Sequence, residues 1–78
     1  MPHVTVKMWP GPSEQQKRRL ADQITKDVVT LLDSDDASVS VAIEEVNPGD
    51  WLESVYRREI EPRMDDLYKR PGYGPSDL

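Results

Sequence analysis

The order of the hydrophobic patterns in the first half of the chain leaves few folds open. Residues 2–9 alternate between apolar and polar side chains, residues 13–32 repeat apolar side chains with a helical period, and residues 38–46 alternate again. A period of two is typical of a strand, and a period near 3.6 of an amphipathic helix. Two strands joined by a long helix pair in parallel through a right-handed crossover. The pattern therefore predicts an α/β fold built on a βαβ unit.

The predicted helix has clear start signals and one apolar face. Ser13 is placed to cap the first free backbone N–H groups, and Gln16 three residues later completes a capping box. The preceding Pro10-Gly11-Pro12 ends the first strand, because proline cannot donate a hydrogen bond to a ladder. On a helical wheel the apolar side chains fall on one face, which comprises Leu20, Ala21, Ile24, Val28, Leu31 and Leu32.

The second half of the chain predicts another helix. Asp50 is placed to cap a helix that starts at Trp51. Pro62 should break this helix near Ile60. Residues 70–78 contain two prolines and two glycines, so we expect them to form a tail or arm of one domain spanning residues 1–78. The predicted buried stripe of the helix consists of Leu52, Tyr56, Ile60, Met64 and Leu67.

Size and composition narrow the class of protein. A chain of 78 residues without cysteine has a thin core and no disulfides, and two parallel strands have open edges. We therefore expect a homo-oligomer in which a second subunit completes the sheet. One histidine and no cysteine argue against an ordinary zinc site. A net charge of −5 argues against nucleic acid, and the absence of a long apolar run argues against a membrane and for the cytoplasm.

Two positions carry candidate chemistry. Pro2 follows Met1, and removal of Met1 would leave a secondary amine at the N-terminus. Burial and nearby cations lower the pKa of an amine toward neutrality, where it is suited to moving a proton next to a carbonyl group. Trp51 lies roughly opposite the apolar stripe of its helix, which is consistent equally with a subunit contact and with a pocket wall.

These features come together in a family resemblance. The start Met-Pro-His-Val-Thr-Val-Lys, the turn at residues 11–13, the run at residues 14–17, and Ser-Val-Ser-Val at residues 38–41 followed by Glu44-Glu45 resemble the 4-oxalocrotonate tautomerase family. The resemblance covers about two-thirds of the chain, from Pro2 to near Trp51. The C-terminal part, with Ile60, Pro62 and residues 69–73, looks like the dimeric PptA-like branch, whose members act weakly on phenylpyruvate-type 2-oxo acids.

The resemblance implies a function and a set of site residues. Met1 is removed, Pro2 is the general acid/base, and Trp51 is the aromatic wall of the pocket. The two substrate-binding arginines of the family correspond to Pro12 and Ser40, so a diacid is a poor fit and Ser40 retains only one hydrogen bond for the substrate. These implications predict a cofactor-independent keto–enol tautomerase of 2-oxo acids such as phenylpyruvate, acting as a homodimer.

Two alternatives stay open at this point. Hydration or dehalogenation of an unsaturated acid would use a protonated Pro2 as an acid, although that chemistry also requires carboxylate-binding arginines. The scaffold could instead serve as a non-enzymatic βαβ dimer that acts as a binding module, in which case replacement of Pro2 would have no catalytic consequence.

Overall fold

The chain divides into two compact units in the computed structural model, which describes residues 1–78. The first unit comprises Met1–Glu45 and the second Val46–Leu78, and each is described by itself. The arrangement of the whole chain as one domain stays a prediction.

The first unit is a strand, a helix and a strand. Strand β1 spans His3–Met8, helix α1 spans Glu14–Leu32, and strand β2 spans Ser40–Glu45. The strands pair in parallel, with a register that runs from His3 opposite Ser40 to Met8 opposite Glu45. The predicted parallel βαβ unit is therefore confirmed.

The second strand is shorter than the predicted range of residues 38–46. Residues Asp36–Ser38 form a single 3₁₀ turn, in which both the backbone N–H and the hydroxyl of Ser38 donate to the carbonyl oxygen of Asp35, at 3.0 and 2.8 Å. A serine hydroxyl that bonds to a nearby carbonyl favours a turn over extended backbone. The strand therefore begins only at Ser40.

The predicted capping box at the start of α1 is present. The backbone N–H of Gln16 donates to Ser13 Oγ at 3.1 Å, and the backbone N–H of Ser13 donates to Gln16 Oε1 at 2.8 Å. The helix ends at Asp33, whose φ of 53° lies in the left-handed region and whose N–H donates to the carbonyl oxygen of Val29. Aspartate tolerates this conformation better than most residues.

Only the middle of the predicted apolar face of α1 is covered. Ala21, Ile24 and Val28 are half-buried, whereas Leu20, Leu31 and Leu32 are exposed. The 19 residues of α1 span about 28 Å at 1.5 Å per residue, whereas strands of 6 residues span about 20 Å. A sheet of two such strands is therefore too small to cover the whole helix.

The second unit begins with a helix whose geometry changes along its length. Helix α2 spans Pro48–Trp51 and continues into a π-helical segment, Leu52–Ile60, which is followed by a 3₁₀ segment, Glu61–Asp66. The predicted start at Trp51 with Asp50 as the cap is wrong. Asn47 holds the cap position and Pro48 opens the helix, because a proline in the first turn gives up no hydrogen bond.

The predicted break near Ile60 is confirmed. The backbone N–H of Glu61 bonds to the carbonyl oxygen of Tyr56, five residues back, and Arg63 leaves helical geometry at φ −114°, ψ 17°. Pro62 has no N–H with which to continue the helical hydrogen bonds, so the helix changes character at this point.

The buried side chains of the second unit belong to this helix. Tyr56, a member of the predicted stripe, is only 5% exposed, and so is Val55, which the stripe did not include. The other members of the stripe (Leu52, Ile60, Met64 and Leu67) are half-buried. The ring of Tyr73 packs on that of Tyr56 with centroids 5.9 Å apart. The predicted tail is thus partly folded back, and it ends in a 3₁₀ turn at Pro75–Asp77.

Candidate active site

Pro2 lies at the start of the sheet. Its carbonyl oxygen accepts a hydrogen bond from the backbone N–H of Ser40 at 3.2 Å, and its side chain is half-buried. Proline is tolerated at the first position of a strand, where its missing N–H costs the ladder nothing. Met1, in front of it, is fully exposed. Two of the sequence-predicted site residues, Pro2 and Ser40, are therefore neighbours although they are far apart in the sequence.

The side chain of Ser40 is held by the side chain of His3. Ser40 Oγ lies 2.6 Å from His3 Nδ1, and Thr5 Oγ1 lies 3.3 Å from His3 Nε2. The three side chains are exposed on the same face of the sheet, since His3 and Ser40 are register partners and Thr5 is two residues further along β1. We call Ser40, His3 and Thr5 the polar triplet.

The polar triplet lies on the face of the sheet opposite α1. Val41 and Ile43 point toward α1 and line a surface hollow with Ala21 and Lys17. Side chains alternate across a strand, so Ser40 points the other way. The contact of His3 with Ser40 was not predicted from the sequence, although the alternation that separates His3 and Thr5 from Val4 and Val6 places both on one face of the strand.

The turn at the position of the first family arginine offers no cation. Pro12 follows Gly11, whose φ of 150° lies in the region that favours glycine, and both residues are exposed. Pro12 has neither a charge nor a donor to offer a carboxylate. Ser40, which the resemblance matches to the second arginine, has a neutral hydroxyl in place of a charge, and this hydroxyl contacts His3.

Trp51 belongs to the second unit, where it is tied to the C-terminal segment. Its indole Nε1–H donates to the hydroxyl oxygen of Tyr73 at 3.1 Å, and Tyr73 in turn packs on buried Tyr56. The side chain of Trp51 is half-buried. The partner Tyr73 was not predicted from the sequence. A place for Trp51 in one pocket with Pro2 stays a prediction.

No helix in the structure is both long enough and apolar enough to cross a membrane.

Comparison with known proteins agrees with the fold. The family model described as tautomerase enzyme matches residues 2–55. Tautomerase PptA of Cronobacter sakazakii is 45% identical over 94% of this chain and 97% of its own length, and a probable tautomerase of Xylella fastidiosa is 43% identical over 95% and 90%. The crystal structure of YwhB, a homologue of 4-oxalocrotonate tautomerase, is 37% identical over 59% of this chain and 75% of its own, with a TM-score of 0.58.

The family model covers more than half of the chain, and the PptA relative covers nearly all of it. The solved structure shares the βαβ architecture. The non-enzymatic alternative therefore loses its support. The chain belongs to the tautomerase family of enzymes.

Proposed function

We propose that the chain is a cofactor-independent keto–enol tautomerase of 2-oxo acids such as phenylpyruvate, with the amine of Pro2 as general acid/base. The observation that carries the proposal is the hydrogen bond from the Ser40 N–H to the Pro2 carbonyl oxygen, at 3.2 Å. It anchors residue 2 at the end of the sheet, beside the position where a substrate-binding group is expected. A base that the backbone holds in one position loses little entropy when it is oriented toward the substrate for proton transfer.

The reaction requires only proton transfer. With the enol form, the neutral amine of Pro2 takes the proton of the enol hydroxyl, the C–O bond gains double-bond character, and the resulting ammonium returns a proton to C3. The atoms balance without any other reactant. General acid–base catalysis of this kind contributes roughly 10²- to 10⁴-fold to a rate.

The side chains proposed to bind substrate fit a monoacid with an aromatic end. Ser40 offers one hydroxyl near Pro2, which suits a single carboxylate. The indole of Trp51 offers an apolar surface for a phenyl ring, with its orientation set by Tyr73. A diacid would leave a second carboxylate without a partner at Pro12.

A homodimer and a cytoplasmic location are parts of the same proposal. The edges of the two-stranded sheet support the dimer, because another chain can pair with such an edge. A location in a reducing compartment agrees with a sequence that uses no cysteine. Fractionation of cells that express the protein tests the location directly.

The experiment that tests the mechanism replaces Pro2. We expect Pro2→Ala to slow ketonisation of the phenylpyruvate enol by roughly 10²-fold, the lower end of a general acid–base contribution, because a freely rotating primary amine replaces the secondary amine that the ring holds in place. Decay of the enol absorbance measures the rate, and circular dichroism verifies that the variant is folded. Pro10→Ala, at an exposed turn, is the matched control and should keep wild-type activity.

The N-terminus supplies a second control. Intact mass determines whether Met1 has been removed, and a form that retains Met1 has the Pro2 nitrogen in an amide. That form should be inactive, since an amide nitrogen is not a base. Full activity of either Pro2→Ala or the Met1-retaining form would contradict the proposed mechanism.

A further inference from the structure

Ser40 Oγ and His3 Nδ1, 2.6 Å apart, form one hydrogen bond, and either atom can be its donor. A serine hydroxyl has a single proton to donate, and a neutral imidazole has one nitrogen that donates and one that accepts. Two arrangements are therefore possible, with the proton supplied either by the hydroxyl or by the ring.

The two arrangements give Ser40 opposite properties toward a carboxylate. If the hydroxyl donates to Nδ1, its only proton is used, and Ser40 presents lone pairs that repel an anion. If Nδ1–H donates to the hydroxyl oxygen, the hydroxyl proton is free to point at a ligand. Only the second arrangement lets Ser40 bind the carboxylate of a substrate.

Thr5 provides the group that makes the second arrangement available. Its Oγ1 lies 3.3 Å from His3 Nε2. When the Thr5 hydroxyl donates to Nε2, that nitrogen is an acceptor and the ring proton must be on Nδ1. A doubly protonated ring also has its proton on Nδ1, and then Thr5 accepts from Nε2.

A bound carboxylate favours the donating form of Ser40. A hydrogen bond to an ionised group is stronger than one between neutral groups, so the ligand gains more than the ring loses in changing tautomer. The charged groups further along this face are Lys7 and Glu44, which are register partners. They lie beyond Thr5 and Ala42, so His3 is the titratable side chain in direct contact with Ser40.

We infer that His3 and Thr5 are positioning residues that keep the hydroxyl proton of Ser40 available to the carboxylate of a 2-oxo acid, at the position where the family has an arginine. This inference rests on the proposed function and names how the same site holds its substrate. In this proposal the polar triplet supplies one hydrogen bond to the substrate carboxylate where the family has a cationic side chain.

The protonation of His3 can be read directly. His3 is the only histidine in the sequence, so its ring nitrogens give unambiguous signals in the ¹⁵N spectrum of uniformly labelled protein. In the presence of saturating phenylpyruvate we expect Nδ1 to carry a proton, with Nε2 either protonated or not. A neutral ring that carries its proton on Nε2 in the complex would overturn the inference.

Kinetics of phenylpyruvate tautomerisation provide the second readout. Ser40→Ala should raise KM by roughly ten- to a hundredfold with little change in kcat, as expected when a hydrogen bond to a charged group is lost from ground state and transition state alike. His3→Leu keeps the Ser40 hydroxyl but removes the contact that orients it, and should raise KM by about two- to tenfold. Thr5→Val should raise KM by about two- to fivefold, because it removes only the hydrogen bond between Thr5 and the imidazole ring of His3.

Conservative and control variants separate positioning from folding. His3→Asn retains an N–H donor close to the place of Nδ1 and should keep KM within about threefold of wild type. Thr30→Val, exposed on α1, is the matched control for Thr5→Val and should leave KM unchanged. Circular dichroism of each variant verifies the fold, and the ¹⁵N measurement needs no variant at all.

The outcomes distinguish this inference from the proposed function. If the wild-type protein turns over phenylpyruvate while KM is unchanged in Ser40→Ala and His3→Leu, the inference is wrong and the function stands. If the wild-type protein does not turn over phenylpyruvate but the ligand moves the His3 signals to the Nδ1-protonated form, the function is wrong and the binding role stands. Absence of turnover together with a neutral His3 ring that carries its proton on Nε2 in the presence of the ligand would overturn both.

Discussion

Lys17 shows how a single residue can join two elements. Its side chain is only 15% exposed, and its Nζ lies 2.6 Å from Glu14 Oε1 and 3.2 Å from Glu45 Oε1. The hydrogen bonds to Glu14 and to Glu45 raise the pKa of Lys17 above its ordinary value, and the hydrogen bond from Lys17 lowers the pKa of Glu14. The ammonium thus links the first turn of α1 to the end of β2.

The Glu14–Lys17 pair predicts a pH dependence of stability. A lowered pKa for Glu14 means that the pair stabilises the fold above the ordinary carboxyl pKa of 4.5 and loses this contribution as the pH falls through the folded value. Because the pKa of Lys17 is raised above its ordinary value of 10.5, the pair also loses its contribution at alkaline pH, as the pH rises through the folded pKa of Lys17. Glu14→Gln should therefore lower the melting temperature at neutral pH, and the difference from wild type should shrink below pH 4.5.

Thermal unfolding of both proteins from neutral pH to about pH 3 measures this difference. Asp22→Asn, exposed on the same helix, is the control for removing a carboxylate from α1. A difference between Glu14→Gln and wild type that stays constant over the whole range would contradict the prediction.

Among the elements, the cap of α1 and the break in the second helix were predicted correctly from the sequence, whereas the predicted starts of β2 and α2 were wrong. The cap of α1 at Ser13 and the break at Pro62 depend on backbone groups a few residues away, so both could be predicted. The start of β2 depends on a competing turn at Asp36–Ser38, and the start of α2 on Pro48. In both cases a turn or a proline among the neighbouring residues starts the element at a different residue from the one that the sequence pattern predicted.

The cap of α1 gives the prediction at this scale. Ser13→Ala removes the acceptor for the Gln16 N–H and should cost about 1 kcal/mol, or roughly 4–8 °C in melting temperature for a chain of this size. Thermal unfolding at a fixed protein concentration measures the effect.

Ser54→Ala is the matched control for the cap variant. Ser54 is exposed on the π-helical segment, and its replacement should change stability by less than about 0.5 kcal/mol. Equal melting temperatures for the two serine variants would show that the cap contributes nothing measurable.

At the scale of the whole molecule, the chain buries little of itself. The only buried apolar side chains are Val55 and Tyr56, both in the second unit, and the first unit has none. Leu31 and Leu32 are 79% and 63% exposed. A chain with this little core is expected to need further burial, and the proposed association with a second copy would provide it.

Association predicts a stability that depends on concentration. If a folded dimer unfolds to separate chains, each tenfold increase in protein concentration should add about 1.4 kcal/mol to the apparent stability, which corresponds to several degrees in melting temperature. Analytical ultracentrifugation should give the mass of two chains at the protein concentrations that have the highest melting temperature. A monomer mass together with a melting temperature that is constant over a hundredfold dilution would contradict the proposed dimer.

The strand–helix–strand order, the cap at Ser13 and the place of Pro2 directly before β1 could be predicted from the sequence, because each depends on a local period or on neighbouring backbone groups. The partners of the site residues depend on the folded chain. His3 meets Ser40 across the sheet, and Trp51 meets Tyr73. These partners are 37 and 22 residues apart, and only the register of the strands and the folding back of the C-terminal segment bring them within hydrogen-bond distance.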